Sequence, residues 1–316
     1  MQAGIVFKST GSWYQVRLAD GTMVPCRIGG KFRQDDKRLT NPIAVGDQVM
    51  IEIADDEQKA GDIRKILPRK NYVVRQSPRR KHDLHLIASN IDQAMIVMTV
   101  VQPMLKQGFI DRFLLMTEPF NIPTTIVFNK VDLYEEKDIG TLAHLQDIYE
   151  EIGYTTLIVS ATAGHGLEEM KAALKDKTTL ISGQSGVGKS TLINAIAAGL
   201  ALRTGDISDY TGKGQHTTTF AEMFPLSFGG FLIDTPGIKT LSFNYLEPAD
   251  VAHNFREFFV ASVNCRFGGN CLHRNEPGCA VKAGVEEGTL SELRYANYLG
   301  LLEEIEEQNY WERRKV

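Results

Sequence analysis

No stretch of this chain approaches the roughly 18 consecutive apolar residues of a membrane-spanning helix. The opening MQAGIVFKSTGSWYQ has neither the charged start nor the apolar run of a secretory leader, so a cytoplasmic protein with no membrane partner is expected. Positive charge is not in excess either. Lys and Arg number 35 against 39 Asp and Glu, a formal charge of −4, which argues against a globally basic nucleic-acid binder while leaving room for a local patch. Internal repeats and low-complexity linkers are missing. Cysteine is scarce, and three of the four cysteines fall in the last 75 residues, where a reducing cytoplasm disfavours reading them as disulfides.

What remains is an ordinary soluble composition over 316 residues, long enough for roughly two or three domains with their own cores. Three zones follow one another. Residues 1–67 carry short alternating runs, WYQVRL and MVPCRI around Asp20-Gly21 and DQVMIEI after Val45-Gly46-Asp47, which predict a small β domain. Cys26 sits in one of these runs and reads as a small buried hydrophobe. Trp13 reads as barrel core, with stacking on a nucleic-acid base as the alternative for it, Tyr14 and Phe32.

Residues 68–240 alternate apolar strands (AMIVMTVV, TTIVF, TLIVS, TTLIS, FLID) with helical stretches, the pattern of a mostly parallel, buried sheet with crossover helices. Residues 241–316 end in an amphipathic helix whose start, Thr289-Leu-Ser-Glu292, has the form of a capping box.

The strongest chemistry lies in the middle zone. Gly183, Gln184, Ser185, Gly186, Val187, Gly188, Lys189, Ser190 and Thr191 follow a strand and open a helix, the context that a phosphate-binding loop requires. Its glycines let backbone N–H groups turn inward around phosphates, Lys189 reaches the outer phosphates and Ser190 ligates Mg²⁺. FLIDTPG at 231–237 puts Asp234 at a strand end, where it can hold Mg²⁺, and Gly237 where a backbone N–H can meet a γ-phosphate. Thr217, Thr218 and Thr219 lie between these two elements and can complete the Mg²⁺ shell.

The base is named by FNKVDL at 128–133. Asn129, Lys130 and Asp132 form the Asn-Lys-x-Asp pattern, in which the aspartate's two oxygens match guanine's N1–H and N2–H donors and find no such pair on adenine. Ser160 and Ala161, at the end of TLIVS, have the form of the element whose backbone N–H approaches guanine O6. The order along the chain is thus base, base, phosphate, switch, switch, a cyclic shift of the usual GTPase order. Such a shift moves the termini and leaves every loop at the carboxyl ends of the same strands.

Cys265, Cys271, His273 and Cys279 offer three thiolates and one imidazole within fifteen residues, a donor set suited to a closed tetrahedral zinc site. RKILPRKNYVVRQSPRRKH at 64–82 is basic and contains no acid; it is either a solvated linker or, beside a β-barrel, a contact for RNA phosphates.

The permuted order, GQSGVGKST, the GKGQHTTT segment at 212–219, the N-terminal β domain and the Cys/His cluster together resemble, over essentially the whole chain, the bacterial circularly permuted GTPases of small-ribosomal-subunit biogenesis. The resemblance implies an OB-fold barrel, a permuted GTPase domain and a helical zinc domain. It further implies one structural Zn²⁺, Mg²⁺ with GTP, a monomer that binds the small subunit and its rRNA late in maturation, and hydrolysis that is stimulated by the subunit and coupled to release. Ile238 stands where many GTPases carry a water-orienting glutamine. The resemblance assigns that role to His216, which together with Lys189 forms the expected catalytic pair; the alternative is an exposed loop histidine. A small-molecule kinase and a non-catalytic RNA-binding module are the competing classes, and the guanine-reading motif argues against the first. Because DTPGIKTLSF joins the switch to the zinc zone within a few residues, that zone is expected to respond to the nucleotide first.

Overall fold

The structure is a computed structural model that describes residues 1–29, 41–53, 60–76, 84–106, 108–197, 221–235, 243 and 245–313. His216, Thr217, Thr218, Thr219, Gly237 and Phe32 lie outside the described residues.

Five strands, β1 (Gln2–Ser9), β2 (Tyr14–Leu18), β3 (Met23–Ile28), β4 (Gln48–Ile53) and β5 (Gly61–Ile66), run in the order β1-β2-β3-β5-β4, and the β1–β4 pairing closes the barrel. Alternation puts Val6, Val16, Val24, Cys26, Val49, Ile51 and Ile63 inside. Tyr14 is buried with them, but Trp13 is 46% exposed. The expectation of a core tryptophan fails because Trp13 precedes β2, in the β1–β2 connection, and the inward register begins one residue later. Gly21 turns β2 into β3 at φ 89°, a left-handed conformation open to glycine.

A two-stranded hairpin, β6 (Tyr72–Gln76) and β7 (Leu84–Ser89), leads to the central sheet. There β8 (Gln93–Met98), β9 (Thr124–Phe128), β10 (Thr155–Ile158), β11 (Thr178–Gly183) and β13 (Phe231–Asp234) are parallel in the order β10-β9-β8-β11-β13, and β12 (Glu222–Pro225) adds an antiparallel edge. Helices α1 (Phe109–Thr117), α2 (Glu136–Glu151), α3 (Leu167–Leu174) and α4 (Lys189–Ile196) make the crossovers. From β8 the chain winds outward to β9 and β10, whereas from β11 it winds the other way to β13. The crevice above β8 and β11 is therefore the topological switch point at which open α/β sheets bind ligands.

Helices α5 (Pro248–Asn254), α6 (Arg256–Ser262), α7 (Ala280–Glu286) and α8 (Glu292–Arg313) close the molecule. Their apolar residues, among them Phe255, Phe258, Tyr298 and Leu301, join Ile96, Phe113 and Phe128 of the central sheet and its first helix in a single cluster. Arg294 of α8 is 2% exposed and pairs with Asp111 of α1 and Glu257 of α6, while its guanidinium lies 4.5 Å from the Phe255 ring centroid. The helix cap differs from expectation: Ser291 Oγ accepts from the Arg294 amide at 3.3 Å. Thr289 is drawn away because its amide and hydroxyl both donate to Gly284 O at the end of α7.

Candidate functional site: a permuted nucleotide crevice and a Cys/His cluster

Backbone conformation builds the phosphate loop. Gly186 and Gly188 adopt φ 82° and 88°, and Gly188 caps α4, so that the helix begins at Lys189 with its amides and positive dipole end facing the loop. Lys189 is largely withdrawn from water, and its ammonium donates to Gly183 O at 3.2 Å. Burial lowers its pKa, an effect that Asp234 opposes. Burial raises the Asp234 carboxyl, Lys189 counters the rise, and Glu222, directly across the β12–β13 ladder, adds to it.

Asp234 Oδ1, Ser182 Oγ and Gln184 Nε2 are buried without a hydrogen-bond partner among the described residues. Unsatisfied buried polar atoms at a strand end beside a phosphate loop fit a hydrated Mg²⁺ and a polyphosphate.

The Asn-Lys-x-Asp residues are bolted to this loop. Asn129, 1% exposed, donates from Nδ2 to Val187 O at 2.9 Å, and a Cβ on Gly188 would stand 2.7 Å from that same nitrogen, so only glycine fits there. Lys130, in the left-handed region at φ 65°, donates to Gly186 O and Gln102 O, each at 2.7 Å. Asn129 Oδ1 accepts from the Ala161 amide at 3.3 Å.

Asp132 projects to solvent at the rim. Its carboxylate accepts from the Ser160 hydroxyl, and from Thr162 Oγ1 at 3.0 Å. These hydroxyls, Ser160 foremost, hold its pKa below the usual carboxylate range. The sequence reading gave Ser160 only a backbone role; the side-chain tie was missed, although the neighbouring hydroxyls of Ser-Ala-Thr were its visible signal. The structure thus brings residues 129–132, 160–162, 183–191 and 234 to one crevice.

The four zinc-type donors also converge. Cys265, Cys271, His273 and Cys279 place their ligand atoms within 4.8 Å of one another, and all four are buried. His273 reaches inward from a left-handed backbone at φ 56°, with Nδ1 3.4 Å from Cys279 Sγ. The Ala280 amide donates to Cys265 Sγ at 3.2 Å. Burial, joined by the neighbouring thiols, pushes the Cys271 thiol up to about 12. The donor set and its closure fit a structural zinc.

The basic stretch is only partly a surface. Arg69 is spent on buried Asp47, which also accepts from Ser89 at 2.6 Å, so that barrel and hairpin share one polar node. Lys70 pairs with Asp92, and Arg64 pairs with Glu52 and Asp62. Residues 77–83 lie outside the described residues.

The RsgA GTPase model matches residues 66–244 and the RsgA N-terminal domain model residues 3–63. A protein of Bacteroides fragilis named small ribosomal subunit biogenesis GTPase RsgA is 48% identical over 307 residues, 97% of this chain and 98% of that one. One of the same name from Flavobacterium psychrophilum is 48% identical over 95% of this chain and 92% of its own length.

Among solved structures, YjeQ from Thermotoga maritima superposes with a TM-score of 0.77 at 36% identity, covering 96% of this chain and 98% of that one. YloQ, described as a circularly permuted GTPase, superposes with a TM-score of 0.73 at 31% identity, covering 98% of this chain and 96% of its own. With a GTPase model over more than half its length and relatives matched nearly end to end, this chain belongs to the RsgA GTPase family.

Proposed function

We propose that the chain hydrolyses GTP as an assembly factor of the small ribosomal subunit, the particle for which its relatives are named, and that it binds the subunit late in maturation. The observation that carries the guanine assignment is the ionised, solvent-facing Asp132, set by Ser160 and Thr162 on a loop that Asn129 and Lys130 fasten to the phosphate loop. Two carboxylate oxygens at a fixed distance from a phosphate cradle match guanine's paired donors. Adenine offers an acceptor at that edge, so ATP should bind far more weakly.

In this reading the amides of 185–191 and the Lys189 ammonium hold the phosphates, and the Ser160–Ala161 loop faces O6. Ser190 and Asp234 would hold Mg²⁺, which when bound offsets the charge developing between the β- and γ-phosphates. Thr217, Thr218, Thr219 and Gly237 complete the γ-phosphate shell, and His216 orients the attacking water in place of the glutamine that Ile238 replaces. His216→Ala should therefore keep nucleotide affinity and lose roughly 10²-fold or more of the stimulated rate, the usual size of such a contribution; wild-type turnover in that variant would remove His216 from the mechanism.

The zinc site, one per chain, stiffens the helical domain. The barrel meets rRNA with exposed Trp13 and the basic stretch 64–82, and the protein acts as a cytoplasmic monomer that hydrolysis releases. Competition of GDP and ADP for a fluorescent GTP analogue tests the base assignment: GDP alone should displace it, and equal displacement by ADP would refute the guanine reading.

A further inference from the structure

Between the end of α2 and the zinc domain runs an open groove of about 800 Å³. Ile152, Val260, Ala261, Ala280, Ala283 and Leu290 make it apolar. Val260, in the floor, is 71% exposed. Phe259, Val263 and Phe267, all within nine residues of one another with Val260 in the chain, are exposed on the same domain, and exposed apolar side chains concentrated in one region mark interaction sites.

The rim has a definite sign. Glu151 and Glu287 line the groove from opposite banks. Each is the second of a glutamate pair, Glu150-Glu151 and Glu286-Glu287, and the two pairs close α2 and α7, neither of which has a basic residue in its last turn. Acids at helix C-termini oppose the helix dipole and cost stability, so helix formation does not account for them. Arg256, the one cation in the lining, is already paired with Glu118 and bonded to Gly153 O. Among the described residues neither Glu151 nor Glu287 is in an ion pair.

We propose that this groove docks a basic peptide segment with aliphatic side chains, carried by a protein of the particle on which the chain acts. An RNA strand would place phosphates against the glutamates, whereas lysines or arginines flanking an aliphatic side chain satisfy both floor and rim. The proposal rests on the small-subunit reading above and names its partner class at this surface.

Two measurements on the full-length protein test it. The double variant Glu151→Lys/Glu287→Lys, which leaves the nucleotide crevice untouched, should bind small subunits on the order of tenfold more weakly with unchanged basal GTP hydrolysis. Glu303→Lys/Glu307→Lys on α8, matched in charge, should bind as wild type. A photo-crosslinker in the Val260→benzoylphenylalanine variant should attach to a protein of the subunit within a basic segment. Equal weakening by the α8 control, undiminished binding of the groove variant, or a crosslink to rRNA alone would overturn the proposal. If small subunits neither bind nor stimulate the wild-type protein, the functional reading falls and this one with it; normal stimulation with an indifferent groove variant sinks this proposal alone.

Discussion

Asp132 shows how a motif residue acquires its chemistry from its neighbours. Ser160 and Thr162 donate to both of its oxygens and lower its pKa, so the carboxylate stays charged and aimed. A group held below its ordinary range keeps its charged-state contribution until the pH falls through that lowered value. GTP affinity should accordingly stay flat with pH down to and slightly below the ordinary carboxylate range, as far as the fold survives, measurable by nucleotide titration in a pH series. In Asp132→Asn the amide can donate to xanthine O2, where the carboxylate only accepts, and preference should move from guanine toward xanthine nucleotides; unchanged GTP affinity would remove Asp132 from base reading. Residues of this kind were legible in the sequence because their chemistry demands fixed spacing. Trp13 was not, since a residue just outside a strand has no register to betray its face.

At the scale of elements, strands β8, β9, β10, β11 and β13 were readable as apolar runs because burial on both faces leaves no other pattern. The hidden element was the joint between α1, α6 and α8. A single arginine within an amphipathic helix reads as surface, yet Arg294 is almost wholly buried among Asp111, Glu257 and Phe255, and nothing in its neighbourhood in the sequence names partners up to 183 residues away. Removing one member leaves buried charges uncompensated, so Arg294→Ala should lower unfolding free energy by about 3–5 kcal/mol; a urea transition shifted by less than about 1 kcal/mol would contradict the network's role. The Cys/His cluster belongs to the same packing, with Cys265, Cys271 and Cys279 in the cluster that holds Phe113 and Phe128. Chelation, or Cys271→Ser, should therefore lower the melting temperature of the GTPase and helical parts together, because metal binding contributes directly to folding. Fresh protein free of zinc by metal analysis, melting identically with and without chelator, would argue against the site.

The whole molecule divides unequally. The helical domain shares its core with the central sheet, while the barrel has a separate cluster of its own and adds only a few residues, Phe7 and Val45 among them, to the shared one. One ladder pair, Lys8 with Glu222, joins β1 to β12, reinforced by their 2.8 Å ion pair and by Phe7 set edge-on to Phe231 at 5.6 Å. Glu222 lies three residues after Thr219, and Phe231 three before Asp234, so the barrel rests on the hairpin between the two proposed switch segments. The short covalent link leads to the expectation that the zinc domain responds first; the core it shares with the central sheet leads instead to the expectation that a switch movement is felt at the barrel joint. Hydrogen exchange in GDP and in a non-hydrolysable GTP analogue should differ in residues 2–9 and not in α6–α8, and the difference should shrink in Lys8→Ala, whose half-exposed ion pair costs only about 0–1 kcal/mol to lose. Protection changes confined to the zinc domain would restore the covalent route.

If this permuted crevice is a guanine-specific GTPase driven by the small subunit, multiple-turnover phosphate release, with limiting protein and either GTP or ATP, in the presence of purified small subunits, large subunits or neither, will show it. The account predicts slow release from GTP alone, strong acceleration by small subunits only, and no significant release from ATP; a GTP rate indifferent to small subunits, or ATP turned over as well as GTP, would contradict it.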